Sequence, residues 1–425
     1  MFSYNEARKY IKEAMKKGSV LGLYNMHTLL DKMDNPQNKI NIIHVAGTNG
    51  KGSTIAYLDS ILQKASYKVG KYISPSVFSY REIMQINSEN ISKDEFAEIL
   101  FYVSEIVKDN NIGATAFEIE TAAAFEYFMR NSCDVAIIET GLGGRLDATN
   151  VIKKPLMCMI TSISLDHTDV LGETIREIAG EKAGIIVEDT CVVMHNQSEE
   201  VMSVIREAAR EKNSELFVTG KPYDVVFGKE ITSFSYDDER YDTSMKGVFQ
   251  IENAIAAIEA ARILNEISPL NITGRHIYEG VKAAVWKGRF EKIAANPEVY
   301  IDGAHNPDAV GKMLRTIDEN LKGEKIIFIM GVFADKDYRQ SVKMCANYAD
   351  MIFTITPDNK RALDGKILAE EISKYNKNVE YADSIELAVK KAHKSAREKD
   401  ATIICFGSLS YLGKVRKVVN DDNRK

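Results

Sequence analysis

The stretch His44-Val45-Ala46-Gly47-Thr48-Asn49-Gly50-Lys51-Gly52-Ser53-Thr54 lies between an apolar run at 40–45 and a helical pattern at 53–65. Strand, glycine-rich turn and helix in that order make a phosphate-binding loop. Glycines at 47, 50 and 52 let backbone N–H groups approach phosphate oxygens, the helix N-terminus adds partial positive charge, and Lys51 adds a full one. Asn49 sits inside the loop, and the hydroxyl of Ser53 or Thr54 is placed to ligate Mg²⁺. The spacing departs from the usual G-x-x-x-x-G-K-[ST], because the first glycine is nearer and Gly52 separates lysine from hydroxyl. The bland alternative is a glycine-rich turn with a solvated lysine.

Working outward, apolar runs at 69–73, 134–140, 156–161 and 191–195 alternate with helical patterns. This predicts buried strands in a mainly parallel sheet. Residues 223–247 are polar, aromatic and β-branched with Asp-Asp and Lys-Gly punctuation, which predicts antiparallel hairpins appended to the same domain. After Gly288 a second series begins, with strand-like runs at 299–301, 325–330, 351–356, 379–381 and 401–406. It makes a second α/β unit of about 130 residues, a normal domain size. The joint is expected between Trp286 and Pro297, giving domains 1–290 and 291–425. No repeat recurs at a fixed period, and residues 420–425 are expected to fray.

The chain has 425 residues, 45% of them hydrophobic and 27% charged, with a net charge of −6. Those values exclude disordered, collagen-like and membrane-embedded classes. No basic block is present, so nucleic acid is not an expected partner. Cysteines 133, 158, 191, 345 and 405 form an odd, scattered set without a C-x-x-C pair, which speaks against a disulfide framework or a zinc site. A reducing cytoplasm fits them. Residues 4–17 read as an amphipathic helix rather than a signal peptide, and the longest apolar run, 326–334, is too short to span a bilayer.

Further chemistry sits at other strand ends. Glu139-Thr140-Gly141-Leu142-Gly143-Gly144-Arg145-Leu146-Asp147-Ala148-Thr149-Asn150 follows the run at 134–138. An acid there is poorly solvated unless a cation meets it, and Mg²⁺ on nucleotide phosphates would do so; otherwise Glu139 is a cap or an ion-pair partner. Leu165-Asp166-His167-Thr168-Asp169 follows the next strand, and Glu181-Lys182-Ala183-Gly184 comes later. In a parallel sheet Gly47, Glu139 and Asp166 share the carboxyl edge, where ligands of open α/β folds collect. Read alone, His167 is a turn histidine and Lys182 a surface charge. In the second domain, Asp302-Gly303-Ala304-His305-Asn306-Pro307 and Gly331 through Asp337 end successive strands, either as turns or as a ligand face. Arg289, in Trp286-Lys287-Gly288-Arg289-Phe290-Glu291, is placed to reach a phosphate from the joint, with Trp286 as core the alternative for its neighbour.

Together these segments resemble the folylpolyglutamate synthase and dihydrofolate synthase branch of the Mur ligases. The resemblance also includes 21–23, Asn35-Pro36-Gln37, Ser74-Pro75, Phe117-Glu118 and Gln250-Ile251-Glu252-Asn253-Ala254. It implies an α/β fold with a P-loop ATPase-like N-terminal domain, a smaller Rossmann-like C-terminal domain, and ATP in the cleft. The implied reaction is phosphorylation of a folate carboxylate by ATP, then attack by the amine of L-glutamate to give an amide, ADP and phosphate. Phosphoryl transfer to a carboxylate brings anions together, so Mg²⁺ and Lys51 must neutralise charge and hold the groups in line.

By the resemblance, Asn49, Gly50, Lys51, Gly52, Ser53 and Thr54 contact ATP, as do Asn253, Arg289, Asp302 and His305. Ser53, Ser74, Glu139 and His167 would ligate magnesium. Lys182 matches a lysine carbamylated in many members, where the added carboxylate helps bind a second metal. Lys51, Glu139, His167 and Lys182 are thus the catalytic candidates, Mg²⁺ the cofactor, and a monovalent cation a further candidate. The expected partners are ATP, L-glutamate and folate or dihydropteroate, in a monomer with no membrane attachment. The chain departs from the family pattern at Ser76, where histidine is usual, at Ile83, where arginine is usual, and at Tyr411, which stands after Gly407-Ser408-Leu409-Ser410 rather than directly after Gly-Ser-Leu. The alternatives are a monofunctional dihydrofolate synthase, a Mur-type ligase with another acceptor, and a non-catalytic nucleotide-binding module.

Overall fold

The computed structural model describes residues 1–18 and 22–422. Leu21 of the 21–23 match and residues 423–425 of the segment expected to fray lie outside them. The chain forms two units, one of residues 1–223, 235–241 and 252–284, the other of residues 224–234, 242–251 and 285–425.

In the first unit the strands are β1 (Ile42–Ala46), β2 (Val69–Tyr72), β3 (Met84–Ile86), β4 (Glu89–Asn90), β5 (Val135–Glu139), β6 (Met157–Ile160), β7 (Cys191–Met194) and β8 (Glu215–Val218). They lie in the order β4-β3-β2-β5-β1-β6-β7-β8. All neighbours from β2 to β8 run parallel, while β3 and β4 add antiparallel at one edge. The central strands β1, β5 and β6 are buried along their whole length, as apolar runs covered on both faces must be. Ile42, Ala136 and Ile138 share an apolar cluster with the helices Lys93–Asp109 and Ala116–Arg130. Cys158, Ile160, Val192 and Met194 pack with Ile178 and Ile205.

Residues 223–247 form the expected strands, β9 (Tyr223–Phe227), β10 (Thr232–Tyr236) and β11 (Glu239–Thr243), as a three-stranded sheet, and the segment contributes to both units. The second unit carries β12 (Glu291–Ala295), β13 (Glu298–Ile301), β14 (Lys325–Met330), β15 (Met351–Thr354), β16 (Val379–Tyr381) and β17 (Ala401–Phe406) in the order β12-β13-β17-β14-β15-β16. All its pairs are parallel except β12 with β13. The architecture is therefore the expected α/β fold with mainly parallel sheets. Among the described residues no helix is long and apolar enough to cross a membrane.

The helix Lys51–Lys64 that follows the glycine-rich loop is buried on nearly every side from Ser53 to Leu62, which an exposed amphipathic helix would not be. Ser60 Oγ donates to Gly280 O at 2.8 Å, fixing the helix against Gly274–Ala283. Its one buried acid, Asp59, accepts from Lys71 Nζ at 2.7 Å, from Gln63 Nε2 at 2.7 Å and from Ser88 Oγ at 2.8 Å. The Asp59 and Lys71 side chains are 2% and 5% exposed, so neither charge has water to fall back on. Lys71→Met leaves Asp59 uncompensated and is expected to lower unfolding stability by about 3–5 kcal/mol in urea titration; a loss below about 1 kcal/mol, the scale of a surface pair, would refute this role for the pair.

Candidate active site

β1 ends at Ala46 and the loop 47–50 turns its backbone toward the helix that starts at Lys51. Gly50 caps that helix at φ +92°, and a Cβ there would stand 2.5 Å from Asn253 Oδ1, so only glycine fits. Asn253 is buried and also accepts from Thr54 Oγ1 at 3.3 Å. The loop is laced to the end of β6. Thr48 N and Asn49 N donate to Ser162 O at 2.8 and 3.1 Å, Thr161 Oγ1 donates to Asn49 O at 2.9 Å, and Asn49 Nδ2 reaches Ser164 Oγ at 3.3 Å.

Two ammonium groups converge on one carbonyl. Lys51 Nζ and Lys182 Nζ each donate to Gly47 O at 2.9 Å. Lys182, read as a surface charge when taken alone, is 4% exposed. Burial, with Lys51 next, brings its pKa down to about 7, against the pull of Asp166 and Asp147. Glu139, at the last position of β5 and 5% exposed, stands 3.7 Å from Lys51 Nζ and accepts from Ser74 N at 3.1 Å. The structure thus brings Lys51, Lys182, Glu139 and Ser74 to one place, with Ser53 buried in the first turn of the helix. His167 is different: it is exposed, at φ +51°, and caps the short helix Thr168–Leu171. Among the described residues no three His, Cys, Asp or Glu side chains are grouped closely enough to hold a metal ion.

In the second unit Asp302 directly follows β13 and is 4% exposed. Its carboxylate accepts from Phe290 N and Ala304 N, both at 2.7 Å, while burial raises its pKa and Arg289 opposes the rise. His305 Nδ1 lies 2.9 Å from Gly303 O.

The family models for the Mur ligase middle domain and the Mur ligase glutamate ligase domain match residues 45–261 and 288–409. The dihydrofolate synthase/folylpolyglutamate synthase of Bacillus subtilis is 36% identical over 98% of this chain and 99% of its own length. This chain belongs to that family of Mur ligases. The dihydrofolate synthetase of Saccharomyces cerevisiae is 30% identical over 95% of the chain and 99% of that protein. Among solved structures, Mycobacterium tuberculosis folylpolyglutamate synthase complexed with ADP and AMPPCP superposes with a TM-score of 0.87, 26% identity and 98% coverage of both chains.

Where this ligase departs from the family pattern, Ile83 and Tyr411 fill buried positions, and nothing in the structure explains Ser76. Ile83 is 4% exposed in the apolar core. The neighbouring Arg81 is turned to Ile91 O at 2.7 Å. Glu82 closes the loop that contains Ser76 by accepting from Val77, Phe78 and Ser79 N. Tyr411 is buried, its hydroxyl donating to Ile329 O and Phe406 O. Glu118 is the reciprocal cap of Thr115 at the start of Ala116–Arg130, while Phe117 lies against Gly141.

One group of residues escaped the sequence reading as a unit. Asp147 accepts from Leu142 N at 2.8 Å and from Thr149 N and Oγ1 at 3.0 and 2.6 Å, and so shapes the loop after Glu139. The Asp-x-Thr spacing is the available signal, since an aspartate commonly binds the backbone two residues on. Because the Thr149 hydroxyl donates to Asp147, its oxygen accepts from His44 Nε2 at 2.8 Å, which assigns the histidine proton to Nε2.

His44 is fully buried, and burial lowers its pKa to about 3 from 6.5. The unfolded chain therefore binds a proton that the folded chain refuses between those values, and stability falls as pH drops through that window. Between pH 7.5 and 5.5 this group alone is expected to remove about 1.4 kcal/mol from the unfolding free energy. Urea titrations at both pH values should show that increment in the wild type and lack it in His44→Asn; equal pH dependence in the two would contradict it.

Proposed function

We propose that this ligase activates a carboxylate of its folate substrate with ATP and joins it to the amine of L-glutamate, extending tetrahydrofolate to polyglutamates and also converting dihydropteroate to dihydrofolate. The observation that carries the reading is the meeting of Lys51, Lys182 and Glu139 at the glycine-rich helix N-terminus on the carboxyl edge of a parallel sheet. Cationic and amide donors there suit a polyphosphate. The double name of the Bacillus relative supports both activities. A monofunctional dihydrofolate synthase is the second reading, in line with the name of the Saccharomyces relative.

In this reading the residues act as follows. N–H groups of 50–53 and the Lys51 ammonium receive the phosphates, with Thr54 and Asn253 keeping the loop in shape. Arg289, Asp302 and His305 supply nucleotide contacts in the second unit. The Glu139 carboxylate and the Ser53 and Ser74 hydroxyls are hard oxygen donors, which fit Mg²⁺, and His167 joins them in the proposed ligand set. When bound, the cation would neutralise phosphate charge. Lys182 fits a carbamylated role because an amine with a pKa of about 7 is substantially neutral at physiological pH, the form that adds carbon dioxide. The five free cysteines support a reducing cytoplasm, and we take the enzyme to act as a monomer.

Mass spectrometry of products formed with ATP, Mg²⁺ and L-glutamate tests the reading. Additions to both dihydropteroate and a tetrahydrofolate are expected; additions to dihydropteroate alone would establish the second reading, and none to either would refute both. Lys51→Ala and Glu139→Ala are each expected to lower kcat by at least about 10²-fold, the scale for loss of a transition-state charge partner. Near-normal turnover in either would sink its assignment. Lys182→Ala should regain part of its activity when short carboxylic acids are added, and no rescue would remove the carbamate from the mechanism.

A further inference from the structure

The turn before β12 is held in a conformation that its own residues disfavour. Gly288 has φ +75°, and Phe290, a bulky aromatic residue, has φ +41°. Such a residue stays in the left-handed region only where its surroundings over-determine it. Here they do. The Phe290 side chain is 3% exposed, with its ring 4.9 Å from that of Tyr300, and its N–H is bound to Asp302 at 2.7 Å. On the other side, Gly288 N donates to Glu291 Oε2 at 2.7 Å, and Gly288 O accepts from Gly303 N at 2.9 Å. The same Glu291 oxygen is paired with Arg416, which comes from the last helix, Leu412–Asp422. Both side chains are mostly buried, 24% and 21% exposed.

The product of this bracing is the orientation of Arg289. Its Nη1 donates to Gly288 O at 3.2 Å, and the guanidinium lies so close over Gly303 that a Cβ there would run into it. A relaxed turn would move the Gly288 carbonyl and lift the guanidinium from Gly303.

We infer that Glu291 and Arg416 are positioning residues for the nucleotide site, acting through the 288–290 turn to aim Arg289. The inference rests on the reading of Arg289 as a nucleotide contact. Glu291 supplies the acceptor for Gly288 N, and Arg416 holds that acceptor in place and balances its charge. Neither needs to touch ATP.

The test measures ADP affinity by calorimetry and KM for L-glutamate in the full chain. Glu291→Leu removes acceptor and counter-charge together and is expected to weaken ADP binding by about 10-fold, with KM for L-glutamate within about twofold. Glu291→Gln retains an oxygen for Gly288 N and should bind ADP within about threefold of wild type. Arg416→Met should fall between them, and it carries the test if Glu291→Leu fails to fold. The deciding readout is a double-mutant cycle: because Glu291 acts through Arg289, Glu291→Leu should add less than about twofold to the loss caused by Arg289→Ala. Multiplicative losses would overturn the inference while leaving the role of Arg289 intact. Unchanged ADP affinity in Arg289→Ala would overturn that role, and the inference with it.

Discussion

Val45 stands level with Glu139, and Ala46 with Ile160, because β1 runs parallel between β5 and β6. Parallel strands end on the same side, so the loops that leave them must emerge together. The glycine-rich loop, Glu139 and the 161–164 segment therefore share one edge, where their own contacts then lace them together. Tyr72 of β2 is level with Ile138, which delivers Ser74 to Glu139 by the same rule. Every hydrogen bond between loops at this edge follows from that register. The register in turn is held by strands that are apolar on both faces, in which a slip would move His44 away from Thr149.

Charge is the second constraint. Lys51 and Lys182 donate to a single carbonyl oxygen, and Glu139 stands 3.7 Å from the Lys51 ammonium. Two cationic groups in a confined, poorly solvated place repel one another, which is one reason the Lys182 amine gives up its proton so readily. In the proposed reading an arriving polyphosphate would relieve the repulsion, and a carbamate on Lys182 would invert it. In the second unit the balance runs the other way, since Asp302 is spent on two backbone N–H groups and tempered by Arg289.

The long, doubly buried strands were legible because their sequences are unbroken apolar runs: β1, β5, β6, β14 and β17 fall where hydrophobicity places them. β3, β4, β8 and β12 were not, because a strand at or near an edge needs few apolar residues, and β8 and β12 are largely exposed or half-buried. At the site, the loop glycines and Glu139 announce themselves by following strands. Lys182 does not, because its burial depends on where Gly47 lies, 135 positions away. Glu118, beside Phe117 in a matching motif, is a helix cap.

By itself the sequence determined the order of the buried strands, the glycine-rich loop between strand and helix, and the family, because these depend on residues close together along the chain. Only the tertiary structure decided that Lys182 meets Lys51 at Gly47 and that His44 braces the loop after Glu139. It also decided that Arg416 reaches back to the turn at Gly288. Those pairings join residues more than a hundred positions apart, and no local pattern encodes them; they arise where parallel register and core packing leave two distant side chains facing one another.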